Sequence, residues 1–284
     1  MISIIDWRIT NKCPQNCLYC FCDKTIKTAD ETNTEIILKK LCTTPVSKIC
    51  ISGGEPLYDI ARCKKIMNTL KLAQKRIYLS TSAYFFSKNF HNLLEYVDVL
   101  GLPLDGFNNI SNTSGGRLND SFNYTINALK LLSSSTYQSI QLKIGTVLTR
   151  ENCNPKSLKQ IYNLISGYNV NVWRIYELLP ENNGYIYYKH LVPSTEQLQQ
   201  IQEYIHYLNS LSNITIQYIN RIDRNRKYFI IQPNGAVILP IDNGTYIDEY
   251  LIGNFVTDSF TTLYQKWSAN GNLNNSFRNA LFKN

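Results

Sequence analysis

Four cysteines fall within ten residues near the start of this 284-residue chain: Cys13, Cys17, Cys20 and Cys22. The first three have the spacing C-x3-C-x2-C, in Cys13-Pro-Gln-Asn-Cys17-Leu-Tyr-Cys20. Eight cysteines placed at random in this chain would give about 0.006 such spacings, so composition does not explain the pattern. Thiolates this close together are candidate metal ligands. Three of them leave a four-iron cluster with one iron unligated by protein, since full ligation takes four. A structural zinc site wants a fourth protein ligand; Cys22 is on offer for that, and no His sits nearby. Of the other cysteines, 42, 50 and 63 lie in helix or strand patterns and read as small core residues. Cys153 follows a β-like run and is a candidate catalytic thiol near the strand ends, beside the reading of an ordinary loop cysteine.

The elements that must position these residues read as alternating strands and helices. Strands are expected over 2–10, 48–52, 76–82, 97–104, 139–148 and 170–178. Helices are expected over 31–42, 59–73, 86–96, 119–132 and 155–167, the first capped by Asp30 or Thr28. Six βα-type repeats of roughly 30 residues argue for parallel strands with right-handed crossovers. The fold class is therefore α/β, a partial (βα)6 barrel, with an open doubly wound sheet as the other closure. In either architecture the chemistry belongs at the C-terminal ends of the strands, and the cysteine motif follows the first strand directly.

After Pro180 the repeat stops. A helix over 195–211 capped by Ser194 or Thr195, strands over 214–219, 228–232 and 236–241, and a short helix over 258–267 follow. Pro233-Asn234-Gly235 signals a hairpin. We read 1–180 as the barrel core and 181–284 as a C-terminal α+β extension with no cysteines, its Asn-rich tail from Ala269 loosely held.

Lys plus Arg is 29 and Asp plus Glu is 21, a net charge of +8, and 44% of residues are hydrophobic. That suits a globular core and is compatible with an anionic partner, though a composition rich in Ile, Lys, Asn and Tyr accounts for it as well. No block of like charge favours a nucleic-acid stripe. The longest apolar runs fall far short of the roughly 20 residues that span a bilayer. Neither a disulfide framework nor an export signal is visible, so a cytoplasmic, reducing setting is expected. Period-2 alternation adds a sharper point. Leu142, Ile144, Thr146 and Leu148 share one face of the fifth strand and Lys143, Gly145 and Val147 the other; on the sixth, Trp173 and Ile175 oppose Arg174 and Tyr176. Helices must cover the apolar faces, so Lys143, Arg174 and Tyr176 should point into the barrel, each charge matched by a bound anion or by Asp6, Asp105 or Glu177.

Taken together, the cysteine motif after the first strand, Tyr19 before its last cysteine, and Ser52-Gly53-Gly54-Glu55-Pro56 after the second strand resemble the radical S-adenosylmethionine (SAM) superfamily. The resemblance covers roughly residues 2–180. It implies that Cys13, Cys17 and Cys20 hold a [4Fe–4S] cluster whose open iron chelates SAM. It further implies that one electron, from a donor such as flavodoxin or ferredoxin, cleaves SAM to a 5′-deoxyadenosyl radical that abstracts hydrogen from substrate. By the same resemblance Gly53, Gly54 and Glu55 contact the methionine amino group. Ser80 or Ser82, Asp105 in Leu104-Asp105-Gly106, Lys143 and Arg174 are further SAM-site candidates.

Two substrate classes are expected. Asp105-Gly106, Gly116-Arg117, Ser121-Phe122, Gln232-Pro-Asn-Gly235 and Gly253-Asn254-Phe255 resemble maturases that modify a ribosomally made peptide. Cys20-Phe21, Gly145-Thr-Val-Leu-Thr-Arg-Glu-Asn152 and the stretch Trp173–Gly184 resemble viperin-like enzymes that dehydrate a nucleoside triphosphate.

Overall fold

The structure is a computed structural model that describes residues 2–86 and 90–271. Its first six strands are β1 (Ile5–Arg8), β2 (Lys48–Ser52), β3 (Arg76–Ser80), β4 (Val99–Pro103), β5 (Gln141–Val147) and β6 (Val170–Tyr176). Neighbours in that series pair in parallel, in the βα order expected. The intervening helices are α1 (Glu31–Thr43), α2 (Ile60–Leu72), α3 (His91–Leu94), α4 (Asn109–Thr113), α5 (Ser121–Leu132) and α6 (Pro155–Ile165). Asp30 caps α1, its carboxylate accepting from Asn33 N–H at 2.7 Å. The helix expected over 86–96 reaches into 87–89, outside the described residues. The short α4 was not expected; Asn108 and Ser111 close it in a capping box.

Beyond Tyr176 come α7 (Asn183–Ile186), α8 (Tyr188–Leu191), α9 (Thr195–Leu211), β7 (Thr215–Ile219) and α10 (Arg221–Arg224). They are followed by β8 (Phe229–Ile231), β9 (Ala236–Asp242), β10 (Ile247–Asn254) and α11 (Phe260–Asn270). The tail beyond 271 lies outside the described residues. The ten strands form one sheet in the order β10-β9-β8-β1-β2-β3-β4-β5-β6-β7. The chain's last third thus adds to both edges of the six-stranded frame: β7 pairs parallel with β6, and β8 parallel with β1. With β10 and β7 at its edges the sheet does not close, which makes it a partial barrel. The strand β10 was missed in the sequence because, as an edge strand, it buries only Ile247 and Ile252 fully and shows no apolar alternation.

Alternation sorts each inner strand between core and cavity. Ile5 and Trp7, Ile49 and Ile51, Ile77 and Leu79, Ile144, Trp173 and Ile175 join the main core beneath the helices. Their neighbours Asp6 and Arg8, Cys50 and Ser52, Tyr78 and Ser80, Lys143 and Gly145, Arg174 and Tyr176 line one cavity. Truncating Trp7 or Trp173 in that core would cost about 3–5 kcal/mol. Among the described residues no helix is long and apolar enough to cross a membrane.

Candidate active site

The cavity holds about 330 Å³ and lies at the C-terminal ends of the strands and down their inner faces. Cys13, Cys17 and Cys20 all line it. The loop that carries them is pinned from several sides by main-chain contacts. Gly54 N–H donates to Thr10 O at 2.7 Å and Glu55 N–H to Lys12 O at 2.7 Å, so the loop after β2 is laced to the loop after β1. Leu18 N–H donates to Gly115 O at 2.9 Å, and Asn182 Nδ2 donates to Phe21 O at 2.8 Å. Gly53 has φ +142° and a Cβ there would collide with Thr10 O, so no other residue fits without shifting the loop.

The three thiols sit close enough to feel one another's charge. Burial pushes Cys13 up to about 12 and also raises Cys17. A hydrogen bond from the Cys22 thiol brings Cys20 down to about 6 against burial. Such a pocket holds three thiolates together only if cationic charge joins them. No three His, Cys, Asp or Glu side chains among the described residues converge on a single metal ion. A structural zinc site wants a fourth protein ligand, whereas three thiolates suit a four-iron cluster with one iron left open. The donor set fits a [4Fe–4S] cluster.

The other sequence candidates divide. Gly53, Gly54, Ser80, Ser82, Lys143 and Arg174 line the cavity. Glu55 does not. Its carboxylate is fully buried and accepts from Leu57 N–H at 3.0 Å, Thr81 Oγ1 at 2.7 Å, Ser82 N–H at 2.6 Å and the Ser82 hydroxyl. It therefore holds the end of β3 through Thr81 and Ser82. Asp105 is also withdrawn: it accepts from the Tyr19 hydroxyl, from Arg117 Nε at 2.5 Å and from Val147 N–H at 2.8 Å. Cys153 is not brought to the cavity. It is fully buried in the core with Leu158 and Ile161, and burial pushes its thiol up to about 12.

The structure adds residues that were not candidates. Arg117 lines the cavity and stacks over Tyr19 at 5.5 Å. Arg8 lines it too, bonded to Gln232 Oε1 at 3.2 Å and Glu249 Oε1 at 2.9 Å, with Glu181 at 3.7 Å. Burial and the nearby Glu249 carboxylate lift Glu181 to about 7 against the pull of Arg8. Lys143 Nζ donates to Tyr78 Oη at 2.5 Å and lies 5.0 Å from the Tyr176 ring; it meets no carboxylate among the described residues. Arg224 from α10 stacks over Tyr176 at 5.4 Å, and its Nε is buried without a hydrogen bond. Arg174 Nε donates to Gln217 Oε1 at 2.7 Å. Arg117 stands in the Gly116-Arg117 motif without an assigned role, and no local sequence signal marks Arg8 or Arg224, whose partners come from distant strands and loops.

Residues 7–165 match the family model of the Radical SAM superfamily, more than half of the chain. The chain belongs to the radical SAM superfamily. It is an enzyme whose family works with a [4Fe–4S] cluster and S-adenosylmethionine. Among curated proteins, this radical SAM chain is 25% identical over 189 residues to the S-adenosylmethionine-dependent nucleotide dehydratase RSAD2 of Oncorhynchus mykiss. That match takes in 62% of the chain and 51% of the relative, so the chain spans about half the length of the relative it matches. Among solved structures it resembles Streptococcus suis SuiB bound to S-adenosylmethionine, with a TM-score of 0.66 at 13% identity over 92% of this chain and 65% of that one. It also resembles anSMEcpe with bound AdoMet, with a TM-score of 0.69 at 15% identity over 94% and 82%. These two likenesses establish the shared radical SAM fold.

Proposed function

We propose that Cys13, Cys17 and Cys20 hold a [4Fe–4S] cluster and that the enzyme abstracts hydrogen from a C–H bond of an anionic substrate. With one electron, the bound cofactors supply a 5′-deoxyadenosyl radical. The chain's own residues position and shield that chemistry. Gly53 and Gly54 let the backbone come close to the methionine part of SAM, and Glu55 acts at one remove by orienting Ser82. Arg117 and Arg8 place positive charge beside the thiolates. Phe21, Leu179 and Ile247 form an apolar part of the lining that excludes water.

The observation that carries the substrate reading is Lys143. It is an almost buried ammonium on the cavity wall that contacts Tyr78 and Tyr176 and ion-pairs with no carboxylate among the described residues, and Arg174 and Arg224 line the same wall. A buried charge calls for a counter-charge, so Lys143 supports a substrate with phosphate oxyanions. The nucleoside triphosphate reading gains further support from the similarity to a nucleotide dehydratase. A ribosomally made peptide is the second reading, favoured by β10. That edge strand begins at Ile247 on the cavity lining, and an extended peptide added to it would run past the cavity. We assign catalysis to residues 1–180, a closing role to 181–284, the electron to a flavodoxin or ferredoxin, and the setting to the cytoplasm.

The test incubates anaerobically reconstituted protein with SAM, dithionite and either CTP or a candidate precursor peptide. A rise in 5′-deoxyadenosine with CTP alone is expected. A rise with the peptide alone replaces the nucleotide reading by the second.

A further inference from the structure

A carbon radical in this cavity takes hydrogen back only from a weak bond. Water and aliphatic hydroxyl O–H bonds are too strong to give one up to carbon; phenols and thiols are not. Cys153 is sealed in the core; of the cavity's thiols outside the cysteine motif, Cys22 donates to Gly53 O at 3.1 Å and Cys50 is buried against Tyr78. Of the other phenols on the cavity wall, Tyr19 is engaged with Asp105, Tyr78 is 5% exposed and bonded to Lys143, and Tyr228 stands just before β8, level with Ile4 at the end of β1 away from the cysteine loop. Tyr176 is different. It ends β6, is only half-buried, and lines the cavity. Its register partner Val147 packs in the same cluster as Cys17 and Cys20, so the ring lies one strand from the side chains that back the cysteine loop. Its ring also lies beside Gly145, where a Cβ would meet Tyr176 Cε2 at 3.4 Å. Lys143 and Arg224 fix it, at 5.0 Å and 5.4 Å from the ring centroid.

We infer that Tyr176 is a catalytic residue whose phenol gives a hydrogen atom to a carbon radical formed in this cavity. The Oη–H bond breaks homolytically and a C–H bond forms, leaving a neutral tyrosyl radical. One electron from the same low-potential donor reduces it to the phenolate, which the flanking cations stabilise and which takes a proton from Lys143 or solvent. Those cations also act on the phenol at rest. Burial raises the Tyr176 phenol, but Lys143, Arg174 and Arg224 bring it down to about 8. The inference rests on the cluster site proposed above.

The test needs no substrate, because the 5′-deoxyadenosyl radical is itself a carbon radical. Reconstituted protein, SAM and dithionite are combined in D2O, where the phenol carries deuterium. The native protein should yield 5′-deoxyadenosine with one solvent deuterium, and Tyr176→Phe should cut the labelled fraction at least tenfold at equal cluster content. 3-Aminotyrosine placed at 176, which traps the radical, should give an aminotyrosyl EPR signal, and this arm stands if the Phe variant folds poorly. In cluster-free protein, ultraviolet titration should show one phenol ionising near pH 8 that Tyr176→Phe removes. Unlabelled product, equal labelling in the variant, or a silent aminotyrosine overturns this inference alone. No 5′-deoxyadenosine from native protein overturns the cluster site, and this inference with it.

Discussion

The cysteine loop after β1 is laced to its neighbours by main-chain bonds, with side-chain bonds from Lys24, Asn182 and Asn183 added, whereas the β5–β6 wall of the same cavity is built of side chains that meet one another. Around the loop, Gly54, Glu55 and Leu18 donate backbone N–H groups to Thr10, Lys12 and Gly115. On the wall, Lys143, Arg174, Tyr78, Tyr176 and Arg224 meet one another through charge, rings and hydroxyls. A backbone lattice fixes where three ligands sit and tolerates little change, because a displaced loop loses all three at once. A wall of side chains on rigid strands can change its chemistry with the scaffold intact. The loop therefore sets the kind of reaction, and the wall sets what is received.

Substitutions can break or sharpen that contrast. Cys17→Ala should abolish the brown four-iron absorbance while the far-ultraviolet dichroism of the soluble protein is unchanged; retained absorbance would remove the loop's role. Gly53→Ala forces a side chain into positive φ against Thr10 O and should cost about 3 kcal/mol in chemical denaturation, with cluster content falling too. Glu181 tests electrostatics in the β1–β10 region. Its folded value of about 7 lies above the ordinary 4.5, so its stabilising contribution is full below about pH 4.5 and is lost as pH rises through 7. Glu181→Gln should therefore lessen the stability lost between pH 5 and pH 8 by about 2 kcal/mol, read by urea melts at both values. Lys143→Met should leave the melting temperature within a few degrees and weaken CTP binding about tenfold by calorimetry; unchanged binding would sever the wall from the substrate. Cys153→Ala should be the mildest, costing about 1 kcal/mol with 5′-deoxyadenosine formation unaltered, since the thiol lies in the core.

Much of this was legible before any coordinates. Lys48–Ser52 as a strand and Thr195–Leu211 as a helix follow from local periodicity and caps, and the structure places both at those bounds. The inward Lys143, Arg174 and Tyr176 follow from period 2 alone, because a strand has only two faces and helices claim the apolar one. Asp105 and Glu55 were harder. A carboxylate in a motif at a strand end has the right address for a ligand, but its hydrogen bonds are settled by Tyr19, Arg117, Thr81 and Ser82, which arrive from other elements.

By itself, then, the sequence determined the βα alternation, the trio of closely spaced thiols and the polar inner face of the strands. All of these are set within a few residues by covalent spacing, pleat and helical turn. Tertiary structure decided the rest: that β7 and β8 extend opposite edges of one sheet, that Glu55 and Asp105 brace the site while Arg8, Arg117 and Arg224 enter it, and that Cys153 is sealed away. Those outcomes depend on which groups meet through space, and burial and partner choice are properties of the folded chain that no local spacing records.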